Sequence, residues 1–189
     1  MSSYLDVMDF LERLDRALLI SESNVNSKLL SLLKTASDDL KIPIYIIGGM
    51  AVASYGYRRF TDDVDVLIQT NDSDLLAQWV MKLGFKPAGG NKLVRDNMII
   101  NVCTPDVKAG SYNFPNLPGS APGVHIIDLD VLLAMKIEAN RQKDRADYVE
   151  LVKINKLDKT YIESNVLPRI RSNIGKKLAV VLFSKALKE

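Results

Sequence analysis

The chain has 189 residues, of which 47% are apolar and 25% charged, enough for one globular domain or one core with helical additions. Its 25 Lys and Arg face 23 Asp and Glu, a formal net charge of +2. That near balance excludes a global field committing the protein to nucleic acid or a membrane surface, so any polyanion must be met by a local patch.

The first segment, Leu5 to Leu19, repeats apolar residues every three to four positions with charges between them, the spacing of an amphipathic helix. These charges leave no uninterrupted apolar run of the signal-peptide kind, and no stretch approaches the roughly twenty apolar residues of a membrane span. A break at Ser21 to Asn24 precedes a second helix through Leu29, Leu33 and Leu40, which Pro43 closes off. Both helices are packing elements.

Ile44 to Ile47 is a continuous apolar run and predicts a strand buried on both faces. It stops at Gly48-Gly49, where two residues without Cβ allow a tight turn and close approach of a ligand to the backbone. A short helix, Met50 to Tyr55, follows directly, so its unpaired N–H groups would lie beside the turn and offer a seat for phosphate. Next comes Arg59-Phe60-Thr61-Asp62-Asp63-Val64-Asp65-Val66-Leu67-Ile68. Alternate residues of a strand share a face, so Asp63 and Asp65 point one way while Val64, Val66 and Ile68 point into the core, and Asp62 falls on the wrong face. Two adjacent carboxylates repel unless a cation lies between them, and such a pair suits hard divalent cations that share their remaining positions with water and triphosphate oxygens. Arg59 is placed to stabilise phosphate charge, and Thr61 to bond a phosphate or the neighbouring backbone; the alternative for each is an ordinary surface residue.

Gly48-Gly49 followed by Arg59-x-Thr61-x-Asp63-x-Asp65 resembles the polymerase-beta-type nucleotidyltransferase superfamily, in particular the minimal bacterial branch that includes AbiEii-type toxins of toxin–antitoxin systems. The resemblance implies an α/β (α+β) fold with a small mixed sheet flanked by helices. It also implies Mg²⁺ (or Mn²⁺) held by Asp63 and Asp65, and transfer of a nucleoside monophosphate from an NTP to a hydroxyl with release of pyrophosphate. The implied acceptor is a tRNA 3′ end or a protein hydroxyl, and an antitoxin protein is an implied partner. An aminoglycoside-type antibiotic nucleotidyltransferase is the rival enzyme, since those proteins also use a glycine pair and an Asp-x-Asp.

Beyond the motif, Asp72 to Leu83 predicts an amphipathic helix capped by Ser73 or Asn71 and ended by Gly84, with Trp79 in the core. Lys92 to Arg95 and Met98 to Cys103 predict a hairpin turning at Asp96-Asn97. Cys103, alone in an apolar strand, rules out an internal disulfide framework and fits a reducing cytoplasm.

Relatives with a third catalytic carboxylate often carry it on this later strand, where this chain has Asn101. An amide coordinates through its carbonyl oxygen but takes no proton near neutral pH. Either Asn101 or Asp106 occupies that place, and a non-catalytic nucleotide-binding module is the reading from a different class. Thr104 to Gly123 is rich in proline and glycine, either a lid or acceptor loop in which Tyr112 and Phe114 stack on bases, or a surface excursion. His125, the single histidine, is a strand residue rather than a zinc ligand.

Asp128 to Leu151 predicts two helices. Asp128 caps the first, whose apolar face includes Val131, Leu132, Met135 and Ala139 and from which Lys136 emerges. Arg141, Lys143, Asp144 and Asp147 open the second, which ends in an apolar stripe of Tyr148, Leu151 and Val152. On its own this is a salt-bridged helical hairpin. Lys136-x4-Arg141-x-Lys143-Asp144-x2-Asp147 again resembles the minimal nucleotidyltransferase branch, which implies that Lys136 contacts the triphosphate, that Asp144 helps place it, and that Asp147 holds Lys or Arg in position. The remainder carries short helices around Pro168 and Gly175, an amphipathic end, and a basic cluster of Arg169, Arg171, Lys176 and Lys177 that either steers nucleic acid or is a solvated face. The organisation is therefore an N-terminal helical segment (1–40), a nucleotidyltransferase core (41–127) and a C-terminal helical part packed on it (128–189).

Overall fold

The computed structural model describes residues 23–61, 63–105, 108–109, 112–113, 117 and 121–188. The amphipathic segment Leu5 to Leu19, together with Asp62, Asp106 and Phe114, lies outside them.

Helix α1 (Ser23–Leu40) leads into β1 (Pro43–Ile47), the short α2 (Gly48–Ser54) and β2 (Val64–Ile68). Helix α3 (Ser73–Leu83) follows, and then β3 (Lys86–Pro87), β4 (Lys92–Arg95) and β5 (Met98–Cys103). The segment expected as an irregular excursion contains a two-residue ladder, β6 (Lys108–Ala109) with β7 (Tyr112–Asn113), before β8 (Gly123–Ile126). Helices α4 (Leu129–Ala139) and α5 (Gln142–Ile154) form the hairpin. A helical turn, α6 (Lys159–Tyr161), runs on as a π turn (Ile162–Val166) and a 3-10 turn (Leu167–Arg169), and α7 (Asn173–Ala186) is the last helix of the described residues.

The fold is mixed α/β, with a six-stranded sheet in the order β3-β4-β5-β2-β1-β8 flanked by helices. β1 is antiparallel to β2 and parallel to β8, and β2 is parallel to β5, so β2, which carries Asp65 and directly follows Asp63, sits at the centre between β1 and β5.

Period-2 alternation explains why both faces of the centre are dry. Ile44 and Ile46 join Val64, Val66, Ile68, Ile100 and Val102 on one face, where Leu29 and Leu33 of α1 and Trp79 of α3 cover them. Tyr45, Ile47, Leu67 and Cys103 turn to the other face, which α4, α5 and α7 cover through Leu132, Leu151 and Phe183. Asp65 shares that second face with Leu67, and Asn101 shares it with Cys103. The acid pair therefore looks toward the C-terminal helices, not toward α1 and α3.

Local signals account for the element ends, with some corrections. Asp72, rather than Ser73 or Asn71, caps α3, its Oδ1 accepting from the N–H of Asp74 at 2.9 Å and of Leu75 at 3.1 Å, and Gly84 closes the helix at φ +69°. Asp128 stands at the start of α4 but makes no side-chain cap bond. The β4–β5 hairpin turns at Asp96, which adopts φ +52°. Residues 130–138 of α4 are all buried, so its expected single apolar face is replaced by burial on every side. α2, α5, α7, the π turn and the 3-10 turn lie against it, and Ile47, Leu67 and Cys103 of the sheet share its core.

Candidate active site

Gly48 and Gly49 do not form a turn ahead of a helix; they are the first two residues of α2. Their missing side chains are needed by their neighbours across the β1–β2 ladder. A Cβ on Gly48 would fall 1.9 Å from Asp65 Oδ2, and the residue sits at φ +64°, so an L side chain is excluded twice over. A Cβ on Gly49 would lie 2.8 Å from Thr61 Oγ1. The glycine pair thus makes the space in which the Asp65 carboxylate and the Thr61 hydroxyl stand.

Asp63 and Asp65 face the same cleft and are tied to one residue. Asn101, the register partner of Asp65 on the parallel strand β5, donates from Nδ2 to Asp63 Oδ2 at 2.7 Å and to Asp65 Oδ1 at 2.9 Å. Thr61 Oγ1 lies 3.2 Å from Asp63 Oδ1. Burial pushes the Asp65 carboxyl above its ordinary range and the charge of Asp63 adds to this, while the Asn101 bond and the charges of Lys136 and Lys143 pull it back. Asn101 thereby joins the two carboxylates through one amide group.

The cations come from elsewhere in the fold and are already engaged. Arg59 binds Asp147 through two bonds, Nε to Oδ1 at 2.7 Å and Nη2 to Oδ2 at 3.0 Å. Lys136 does not emerge from its helix: it is 5% exposed, with Nζ 2.7 Å from Asp147 Oδ2 and 3.1 Å from Asp144 Oδ1. Arg141 closes the chain onto Asp144 at 2.5 and 3.2 Å. The network pins the segment before β2 to the helical hairpin, joining residues 88 positions apart.

These groups meet in a cleft of about 140 Å³ lined by Gly48, Gly49, Thr61, Asp63, Asp65 and Asn101 on one side. Arg59, Lys136, Arg141 and Lys143 line the other. A second, more apolar cavity of about 290 Å³ opens beside it and shares Gly48, Asp65, Asn101, Lys136 and Arg141 with it. Ile47, Leu132, Met135 and Cys103 supply its apolar wall.

The donor set fits a hard divalent cation better than a soft one. Two carboxylates and an amide offer only oxygen on the acid side of an open cleft. Among the described residues no group of three or more His, Cys, Asp or Glu side chains is placed to hold a metal. A cation here would therefore take much of its shell from water and substrate.

Of the residues singled out from the sequence, Gly48, Gly49, Arg59, Thr61, Asp63, Asp65 and Lys136 all line the polar cleft. Asp144 lines the neighbouring cavity, beneath Lys136 and Arg141. Lys143, which the helical motif contains without assigning it a role, also lines the cleft; its position next to Asp144 is the available signal in the sequence. His125 is half-buried, its Nε2 2.9 Å from Ala121 O and its ring tilted against Tyr45, away from the acids. Arg169 binds Asp130 at 2.6 Å, which removes it from the expected free basic cluster.

The arrangement defines a class: an α/β protein with an acid pair and a set of cations facing one another across a small cleft. No protein-family model matches the chain, and no curated protein matches it in sequence. Among solved structures it is similar to the antibiotic-resistance factor ANT(2'')-Ia, whose solution structure was described in terms of substrate-regulated conformation dynamics. The two share 15% identity over 86% of this chain and 87% of the other, with a TM-score of 0.42. A superposition that loose leaves the site to be argued from its own atoms. None of the described helices is long and apolar enough to cross a membrane.

Proposed function

We propose that this chain is a nucleotidyltransferase that moves a nucleoside monophosphate from an NTP to an acceptor hydroxyl, with release of pyrophosphate. The observation that carries the reading is the meeting of Asp63 and Asp65 with Arg59, Lys136, Arg141 and Lys143 across one cleft. Carboxylates alone would repel a triphosphate, and cations alone would bind one without a place for a divalent ion; this cleft has both.

Asp63 and Asp65 would hold Mg²⁺ or Mn²⁺, which when bound supplies charge neutralisation at the reacting phosphate. Lys143, and the exposed part of Arg141 that its bonds to Asp144 leave facing solvent, would meet the phosphate tail at the open side of the cleft. Arg59 and Lys136 already have carboxylate partners, so they would act through the field of a fixed, partly neutralised array rather than as free ligands. The adjoining apolar cavity suits an uncharged, flat part of the substrate.

Asn101 takes no proton, so the attacking hydroxyl would lose its proton to water or to substrate. The family resemblance on Gly48-Gly49, Asp63-x-Asp65 and Lys136 to Asp147 points to a tRNA 3′ end or a protein hydroxyl as acceptor, in the cytoplasm, with an antitoxin as partner. The cationic side of the cleft is consistent with a polyanionic acceptor.

Incubating the purified chain with each labelled NTP, Mg²⁺ and total cell extract tests this. Label is expected on RNA or protein, with pyrophosphate released. Label on a small aminoglycoside would support the antibiotic-modifying alternative. NTP binding without pyrophosphate release, with those acceptors present, would leave a nucleotide-binding module and overturn the proposal.

A further inference from the structure

The amide of Asn101 sits between two carboxylates that would otherwise face each other with no donor shared between them. Carboxylate oxygens only accept hydrogen bonds, so in the absence of a cation the group between them has to present N–H, and Nδ2 does so to both. An aspartate in this place would add a third negative charge and make the cation-free site unstable.

The amide has a second option that a carboxylate lacks. Its Oδ1 and Nδ2 are nearly identical in size and position, so a half turn about χ2 exchanges a donor for an acceptor without moving the backbone. The strand register fixes the Cα of Asn101 beside Asp65, which keeps either atom aimed at the pair.

The spacing suits the exchanged state. Nδ2 lies 2.7 Å from Asp63 Oδ2 and 2.9 Å from Asp65 Oδ1. Neighbouring oxygens in an octahedral Mg²⁺ shell are about 2.9 Å apart, √2 times a metal–oxygen distance of roughly 2.0–2.1 Å. An oxygen placed where Nδ2 now stands would therefore lie at a ligand-to-ligand separation from one oxygen of each carboxylate.

We propose that Asn101 is a two-state ligand of the acid pair: an N–H clamp that holds Asp63 and Asp65 together when no cation is bound, and a carbonyl-oxygen ligand, after a turn of its amide, when a divalent cation is bound. This rests on the reading of Asp63 and Asp65 as a cation site. It makes Asn101 a ligand rather than a defective base, and gives the protein a stable cation-free form.

Titrating the full chain with Mn²⁺ alone, followed by water-proton relaxation, tests the proposal. Asn101→Ala is expected to weaken Mn²⁺ binding by at least about tenfold, and Asn101→Asp to strengthen it. If the amide were only a clamp, removing it would free the carboxylates, so Asn101→Ala binding Mn²⁺ as tightly as the parent, or more tightly, overturns the inference while leaving the cation site standing. A parent chain that binds no Mn²⁺ overturns both.

A second measurement does not depend on the variants folding. In the ¹⁵N-labelled parent, the Asn101 side-chain amide protons are expected to move upfield on saturation with Mg²⁺, as they leave their carboxylate acceptors. Unchanged resonances at saturating Mg²⁺ overturn the turn of the amide.

Discussion

Two carboxylate pairs lie within this one site, Asp63 with Asp65 at the start of β2 and Asp144 with Asp147 on α5, and they are in opposite electrostatic states. The helical pair is saturated: Asp147 is bound by Arg59 and Lys136, and Asp144 by Lys136 and Arg141. The strand pair is bridged by a neutral amide, with a hydroxyl on Asp63 alone. Residue type alone does not separate them. The difference teaches that the carboxylates left short of positive charge are the ones available to an incoming cation, while the neutralised ones build the wall on which the cations stand.

The largest effect should come from removing the uncompensated pair. Asp63→Ala with Asp65→Ala is expected to lower nucleotide transfer by on the order of 10³-fold or more, since the charge-handling centre is lost. Far-UV circular dichroism and thermal melting should show the fold retained, because buried Lys136 keeps Asp144 and Asp147 as its direct partners. Turnover equal to that of the parent would end the assignment.

Removing one member of the saturated pair should do the reverse. Asp147→Ala leaves buried Lys136 and the bidentate Arg59 without their shared partner, and is expected to cost about 3–5 kcal/mol in urea unfolding, as for other broken buried ion pairs. A loss within about 0.5 kcal/mol would show that water already compensates these charges.

The pH dependence gives a smaller effect of definite sign. Burial by itself pushes the Asp144 carboxyl up, but the Arg141 hydrogen bond and the charge and bond of Lys136 outweigh it and hold the group below its ordinary 3.8. The folded chain thus binds that proton less readily than the unfolded one. The stabilisation is complete above the ordinary value and is lost as pH falls through the lower folded one. Asp144→Asn should therefore be less stable than the parent at pH 7, by about 1–3 kcal/mol, with the gap narrowing below about pH 4. A gap that widens in acid would reverse the assignment.

Cys103 offers the finest probe of the contrast. Burial pushes its thiol up to about 11, with the charge of Asp65 adding to this and the Asn91 amide opposing it. At pH 8 the folded thiol should be alkylated by iodoacetamide on the order of a hundredfold more slowly than in the unfolded chain. Asp65→Asn should speed that reaction modestly, whereas Asp144→Asn should not, which mass-spectrometric time courses would separate.

Much of the frame was legible because it rests on short-range rules. The apolar run Ile44 to Ile47, the alternation from Val64 to Ile68 and the hairpin turning at Asp96 reflect the period of a strand and the reach of one turn. The α3 cap was misplaced by one residue, since Asn71, Asp72 and Ser73 all have cap chemistry and only the observed bonds choose among them. Gly48-Gly49 was legible as a place where the backbone is approached closely, but what approaches it in the fold is the chain's own Asp65 and Thr61.

The sequence by itself determined which side chains could share a face: alternation put Asp63 with Asp65 on one side of their strand, and helical spacing put Lys136, Asp144 and Asp147 near one hairpin. Only the tertiary structure decided which of those charges cancel. Strand order brings Asn101 from β5 beside Asp65, and the packing of α4 and α5 against the sheet buries Lys136 between two carboxylates and draws Arg59 across to Asp147. The physical reason is range: backbone periodicity acts over a few residues, whereas a buried charge is settled by whichever partner the fold carries within about 3 Å, here from 8 positions away along the chain, for Lys136 and Asp144, to 88, for Arg59 and Asp147.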